Sequence, residues 1–287
     1  MGKVKIIASG LFSTIQDEGR FGFAEYGVPF SGAMDQNSYY LSNALLGNHQ
    51  NDACIEWVFQ PPVLQFDEPT IICVTGAATD CFLNSEKVLM NRQIRVNAMD
   101  VLTIKFCKNS KYGYVGIKHG FQSEIVLNSR SFFKEVTPKD VLKKDDEINY
   151  TTVNIFTEQF STVSSHSPFQ GTKKLVVYKG PEFDQLDHKQ RDLLFNSYFT
   201  ISGASNRMAI QLEEVLPNSL PSMLTSPVLP GTVQLTPSGK LIVLMRDCQT
   251  TGGYPRILQL SKESINTIAQ KRVQEKFQFR LSDDFEE

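Results

Sequence analysis

Tryptophan occurs once in the 287-residue chain, histidine four times and cysteine five times, and each scarcity closes off some chemistry. The cysteines, Cys54, Cys73, Cys81, Cys107 and Cys248, are odd in number, and no two stand as C-x-x-C. Most sit in apolar runs such as Ile71-Ile72-Cys73-Val74, the setting of reduced, buried thiols in a cytoplasmic protein. His49, His119, His166 and His188 form no ligand pair, so no metal site is expected. Twenty-nine basic residues face 31 acidic ones, a net charge of −2, so no basic field invites nucleic acid. No run of 18 apolar residues exists to span a membrane. The first ten residues lack the apolar core of a signal peptide, and the expected compartment is the cytoplasm. There is no G-x-x-x-x-G-K-S/T phosphate loop and no A-M-K-M biotin attachment site.

What is present is a succession of short apolar runs bounded by Gly, Pro, Asn or Asp. Val63–Phe66, Thr70–Thr75, Val101–Phe106, Tyr112–Ile117, Lys174–Tyr178 and Leu241–Met245 have the length and flanks of strands. Thr232–Leu235 should pair with the last of these as a hairpin through Thr236-Pro237-Ser238-Gly239. Helical spacing is clear only over Gln36–Leu46, Lys189–Asn196 and Lys262–Gln270. In the first, Tyr40, Leu41, Ala44 and Leu45 form one face and Gly47 stands at the stop. Many strands and few helices imply a mainly β protein of barrels or sandwiches. The Thr/Ser-rich stretch between Tyr150 and Lys173 reads as an inter-domain segment, which gives domains 1–165 and 166–287. Ser31-Gly32-Ala33-Met34-Asp35 is echoed by Ser202-Gly203-Ala204-Ser205-Asn206-Arg207-Met208, as a duplicated unit would leave behind.

Four segments could carry chemistry. In Asp247-Cys248-Gln249-Thr250-Thr251-Gly252-Gly253-Tyr254-Pro255-Arg256, a strand empties into an amide, two hydroxyls and bare glycine backbone, with a carboxylate and a guanidinium at the flanks. Such a loop suits a small polar ligand, and equally a solvated glycine turn. In Gln16-Asp17-Glu18-Gly19-Arg20 an arginine beside an aspartate could clamp a carboxylate, or the two could form a local ion pair. Ser31 and Gly32 lead to Asp35, which as the N-cap of the first helix would satisfy its free amides; alternatively that helix start binds an anion. Arg207 is either a ligand contact or an ordinary surface ion pair. Trp57, with Glu56 beside it, reads as a core residue with a wet edge.

In this order the segments resemble one family: G-L-F-S-T-I-Q-D-E-G-R (10–20), G-V-P-F-S-G-A-M-D (27–35), N-A-L-L-G-N (43–48), S-N-R-M (205–208), P-G-T-V-Q-L-T-P-S-G (230–239) and D-C-Q-T-T-G-G-Y-P-R-I (247–257). The family is that of the biotin-dependent carboxyltransferase A/B subunit, allophanate hydrolase subunit 2 and the C subunit of prokaryotic 5-oxoprolinase. The resemblance implies two cyclophilin-like β-barrel domains and a cytoplasmic subunit of a 5-oxoprolinase complex, which opens 5-oxoproline to glutamate with ATP. It further implies two partners: a sister subunit that carries the carboxyltransferase C/D half, similar to the 5-oxoprolinase B subunit, and the lactam-hydrolase A subunit. The alternatives are the carboxyltransferase module of a biotin-dependent urea or amide carboxylase, and a non-catalytic regulator that binds its sister subunit. Candidate catalytic residues are then Asp35, Arg207 and Asp247; candidate substrate contacts are Gln16, Asp17, Arg20, Ser31, Gly32, Gln249, Thr250, Thr251, Gly252, Gly253 and Tyr254. The chain departs from the family pattern at Asn206 and Gln211, where an acidic residue and a second arginine are usual, and after Ser129-Arg130-Ser131, where Phe132-Phe133 replaces a glycine-rich stretch.

Overall fold

The computed structural model describes residues 1–155, 174–221 and 223–282. Most of the expected inter-domain segment, and the 165/166 boundary within it, lies outside the described residues. The chain divides into two compact units, and the short stretch Gly22–Phe30 belongs with the second half rather than the first. Each unit is mainly β, and three α-helices of nine to eleven residues are present among the described residues: α1 (Gln36–Leu46), α2 (His188–Asn196) and α3 (Lys262–Gln270).

In the first unit, the strands form a six-stranded and a five-stranded sheet. The five-stranded sheet runs Ser13–Gln16, Cys54–Val58, Tyr112–Ile117, Thr70–Gly76, Ile94–Val96, with every neighbouring pair antiparallel. Alternation along its strands sends Ile15, Ile55, Trp57, Ile72, Val74, Val115 and Ile117 into one core, where they meet Val4, Ile6, Leu64 and Phe66 of the six-stranded sheet. The opposite face of the same strands is covered by α1.

That outer face is polar in part, and it corrects the helix reading in part. Of the expected face, Leu45 is buried, Tyr40 and Leu41 are half-buried and Ala44 is exposed. Ser38, Tyr39, Ser42, Asn43 and Leu46 are also buried. Leu45 and Leu46, with Leu41 packed against them, meet Ile71 and Cys73, whereas along the rest of the helix the partners are hydroxyls, thiols and a carboxylate that hydrophobic spacing cannot reveal. Asn43, 1% exposed, donates to the carbonyls of Gln50 and Asp52 (3.1 and 2.8 Å), and Thr75 donates to the carbonyl of Ser38 (2.8 Å).

The second unit is a closed seven-stranded barrel: Lys174–Lys179, Arg256–Leu260, Thr232–Leu235, Lys240–Leu244, Ala209–Val215, Phe199–Ser205 and Lys276–Leu281. Only the pairing of Lys174–Lys179 with Lys276–Leu281 is parallel. Phe199, Phe277 and Phe279 fill the interior, with ring centroids 5.1 Å apart for Phe199–Phe279 and Phe277–Phe279. The Thr232–Leu235 hairpin forms as expected. The echo between Ser31–Asp35 and Ser202–Met208 does not survive: the first is a loop entering a helix, whereas Ser202–Ser205 is strand. All five cysteines carry free, buried thiols.

The polar packing of α1 makes a testable prediction. Replacing Asn43 by leucine adds apolar surface to a buried helix face, yet it strands two carbonyls, and each unsatisfied group costs about 1–3 kcal/mol. Urea unfolding of Asn43→Leu should show a lower midpoint; an unchanged or higher midpoint contradicts this packing.

Candidate functional site

In the first unit the site begins with a cross-strand row on the polar face of the five-stranded sheet. Thr14, Glu56, Tyr114 and Thr75 stand opposite one another on four adjacent strands, and each is at most 1% exposed. A carboxylate in that position needs donors. Glu56 accepts from the Tyr114 hydroxyl (2.8 Å) and from the backbone amide of Met34 (2.7 Å). Tyr114 in turn accepts from the amide of Asp35 (2.8 Å). Burial, and after it the charge of Glu56, pushes the Tyr114 hydroxyl well above its ordinary pKa, so it stays protonated and keeps donating. Lys111, just before this strand, is drawn below its ordinary value by burial, an effect the nearby Glu56 opposes.

This row fixes the Ser31–Asp35 segment. Ser31 and Gly32 both take positive φ (55° and 85°), and a side chain on Gly32 would lie 2.7 Å from the Glu18 carbonyl, so the glycine is required twice over. Asp35, fully buried, caps α1: it accepts from the amides of Asn37 and Ser38 (3.1 and 3.3 Å) and from the Ser38 hydroxyl (2.6 Å). The capping role is therefore the one that forms.

The Gln16–Arg20 turn also faces inward. Asp17, 1% exposed, accepts from the hydroxyls of Ser129 and Ser131 (2.7 and 2.6 Å) and from the amides of Gly19 and Arg130 (2.9 and 2.5 Å). Arg20, equally buried, donates to the carbonyls of Val126 and Ser131 (3.1 and 2.6 Å). Gln16 donates to Thr14 and to the Phe132 carbonyl (3.1 and 3.3 Å). In place of the carboxylate clamp or local Asp–Arg pair that the sequence offered, the turn lashes the 126–132 segment to the sheet. The Ser-Arg-Ser motif is thus the partner of Asp17, and sequence reasoning left it outside the site.

In the second unit Arg207 and Asp247 meet. The guanidinium grips the carboxylate through Nε and Nη2 at 2.7 and 3.0 Å, with side chains 8% and 12% exposed. This is a largely desolvated bidentate pair rather than a surface one. Asn206 accepts from the amides of Met208 and Ala209 (2.8 and 3.1 Å), so its amide oxygen closes the turn and needs no carboxylate. At the other flank Arg256 binds Glu182 (2.8 Å). Hydrogen bonding from Arg256 holds the Glu182 carboxyl below its usual range.

Both flanking charges of the Gln249–Tyr254 loop are therefore neutralised within the barrel unit. What the loop presents is uncharged. Thr251 and Tyr254 are exposed, and Gln249, Thr250, Gly252 and Gly253 are half-exposed. Thr251–Gly252 pairs with Ser226–Pro227, and the Thr250 carbonyl accepts from the Val228 amide (3.0 Å). A side chain on Gly252 would lie 2.5 Å from the Gln234 amide nitrogen, while one on Gly253 would meet nothing closer than the Met223 carbonyl at 3.7 Å. A side chain at 252 would thus have to displace the Gln234 amide, whereas at 253 the bare backbone is open to approach from outside.

The family model described as "Carboxyltransferase domain, subdomain A and B" matches residues 26–281, and the chain belongs to that family. It is similar to the C subunit of Escherichia coli 5-oxoprolinase, 29% identical over 93% of this chain and 87% of the relative. The corresponding protein of Haemophilus influenzae is 30% identical over 91% of this chain and 85% of the relative. A shorter match, 35% identical over 45% of this chain, reaches 7% of the urea amidolyase of Lachancea kluyveri. The same fold occurs in the solved structure of TTHA0988 (TM-score 0.87, 21% identity, 98% of this chain) and in that of the K. lactis urea amidolyase (TM-score 0.85, 22% identity, 96% of this chain). This chain spans 56% of the former and 18% of the latter.

The Arg207–Asp247 pair supplies the second prediction. Asp247→Ala leaves a nearly buried guanidinium without its counter-ion, a loss of about 3 kcal/mol. Adding Arg207→Ala should recover part of it, as coupled neighbours do. Thermal unfolding of the two single variants and the double would contradict this if Asp247→Ala matched the wild type or if the two losses simply added.

Proposed function

We propose that the chain is the C subunit of an ATP-dependent 5-oxoprolinase. In that complex it contributes the loop Gln249–Tyr254 that receives the lactam. The observation that carries the reading is the pairing of near-full-length similarity to two 5-oxoprolinase C subunits with a glycine-bare loop of neutral hydrogen-bonding groups. ATP-driven activation of 5-oxoproline needs its amide oxygen held in line with the γ-phosphate. Hydroxyls and backbone amides can bind and orient a neutral lactam for that without themselves being ionised.

Asp35, Asp17, Gln16, Arg20, Ser31 and Gly32 hold the turns of the first unit rather than touch the substrate, since they are buried in that unit. Arg207 and Asp247 hold the base of the loop through their bidentate contact. The carboxylate of 5-oxoproline and the phosphates of ATP accordingly require cations from elsewhere, and the sister subunit of the carboxyltransferase C/D type is their natural source. A third subunit hydrolyses the activated lactam. A carboxyltransferase role in urea or amide carboxylation is the second reading, favoured by the urea amidolyase match, and it would require biotin on another chain.

The expected result is that the purified chain alone hydrolyses no ATP, and that mixing it with its sister subunits produces ATP hydrolysis dependent on 5-oxoproline. Gly253→Val, which the fold accommodates, should abolish that dependence with the complex intact. A fully active isolated chain, or wild-type turnover by Gly253→Val, contradicts the reading; activity that demands biotin and urea favours the second.

A further inference from the structure

The Gln249–Tyr254 loop is anchored by a ladder of two residues a side, Ser226–Pro227 against Thr251–Gly252. So short a ribbon does not hold itself in water. Two side chains of the barrel meet it. Gln234, 2% exposed, donates to the carbonyl of Tyr254 (3.3 Å) beneath Gly252. Arg256 reaches it from the other side. Its Nε and Nη2 bind the two oxygens of Glu182 (3.0 and 2.8 Å), and its Nη1 donates to the carbonyl of Pro227 (2.9 Å).

The fit around Arg256 is close. Its own amide donates to Glu182 (2.8 Å), and its carbonyl accepts from the amide of Glu182 (3.2 Å). A side chain on Gly180 would stand 2.1 Å from the Arg256 carbonyl, so the segment carrying Glu182 packs backbone against backbone there. Proline has no N–H, and the carbonyl of Pro227 is therefore its one polar backbone group and the natural handle for fixing the ribbon. A planar guanidinium can hold a carboxylate and a carbonyl at once in fixed directions; an ammonium cannot reproduce that fork.

We infer that Arg256, locked by Glu182, is a positioning residue: through the Pro227 carbonyl it sets the height and tilt of the Gln249–Tyr254 loop. The consequence for ligand binding rests on the reading of that loop as the lactam site, whereas the positioning itself does not. The pair acts as a strut. Glu182 aims the guanidinium, the guanidinium fixes Pro227, and the two-residue ladder passes that placement to Thr251 and Gly252.

Hydrogen exchange at neutral pH on the isolated chain tests the strut directly, with Arg256→Lys and Glu182→Gln as variants that keep charge or shape. Both should remain folded by circular dichroism. Exchange at the Val228 amide and across 249–254 should rise about tenfold, about 1.4 kcal/mol of lost local protection, while Val233 and Val243 on the barrel strands stay as in the wild type. Unchanged exchange in the loop overturns the proposal, and so does an equal rise throughout the barrel, which would make the pair a general stabiliser. In the reconstituted complex the same variants should raise KM for 5-oxoproline and leave KM for ATP alone. A mobile loop with an unaltered KM for 5-oxoproline would uphold the strut and instead overturn the assignment of the loop to the lactam.

Discussion

The first unit depends on one buried carboxylate. Glu56 sits in the middle of the apolar strand Cys54–Val58, 1% exposed, and a tyrosine hydroxyl and a main-chain amide that converge on it help to offset the cost of its burial. Those donors are also what hold Met34 and Asp35 in place. The Ser31–Asp35 turn, the cap of α1 and the polar packing of that helix are all fixed to the same row. Replacing the row with apolar residues of equal volume could keep a stable sheet, but nothing would then specify where the turn lies.

A second economy runs through the barrel unit. Charged side chains cluster around the Gln249–Tyr254 loop, yet Arg207 is matched by Asp247 and Arg256 by Glu182. Ionic groups are used here to brace backbone, and the groups left for a ligand are hydroxyls, an amide and peptide N–H. Such a surface offers hydrogen bonds without a formal charge of its own.

Much of this was legible in the sequence, and the exceptions share a cause. The strands Val63–Phe66 and Tyr112–Ile117, all three helices and the Gly47 stop follow from local pattern, because short-range sterics and alternation decide them. The buried face of α1 was legible only at Leu41 and Leu45, since much of its partner face is polar and hydrophobic spacing carries no information about that part. Asp17 and Arg20 could be recognised as special, but their partners Ser129, Ser131 and Val126 lie more than 100 residues away. Glu56 did leave a signal, a lone acid within C-I-E-W-V, and it passed as the edge of a core tryptophan. Glu182 left none: only folding brings it beside Arg256.

The proposed division of labour has the buried motif residues of the first unit hold that unit's own fold and the exposed Gln249–Tyr254 loop do the binding. The most direct measurement is an alanine series over Gln16, Asp17, Asp35, Gln249, Thr250, Thr251 and Tyr254, with melting temperature of the chain and 5-oxoproline-dependent turnover of the complex recorded for each. The account predicts that the first three lower both quantities together, and that the loop variants lose turnover at an unchanged melting temperature. Loop variants with wild-type turnover, or Asp17 and Asp35 variants that lose turnover while melting normally, would contradict it.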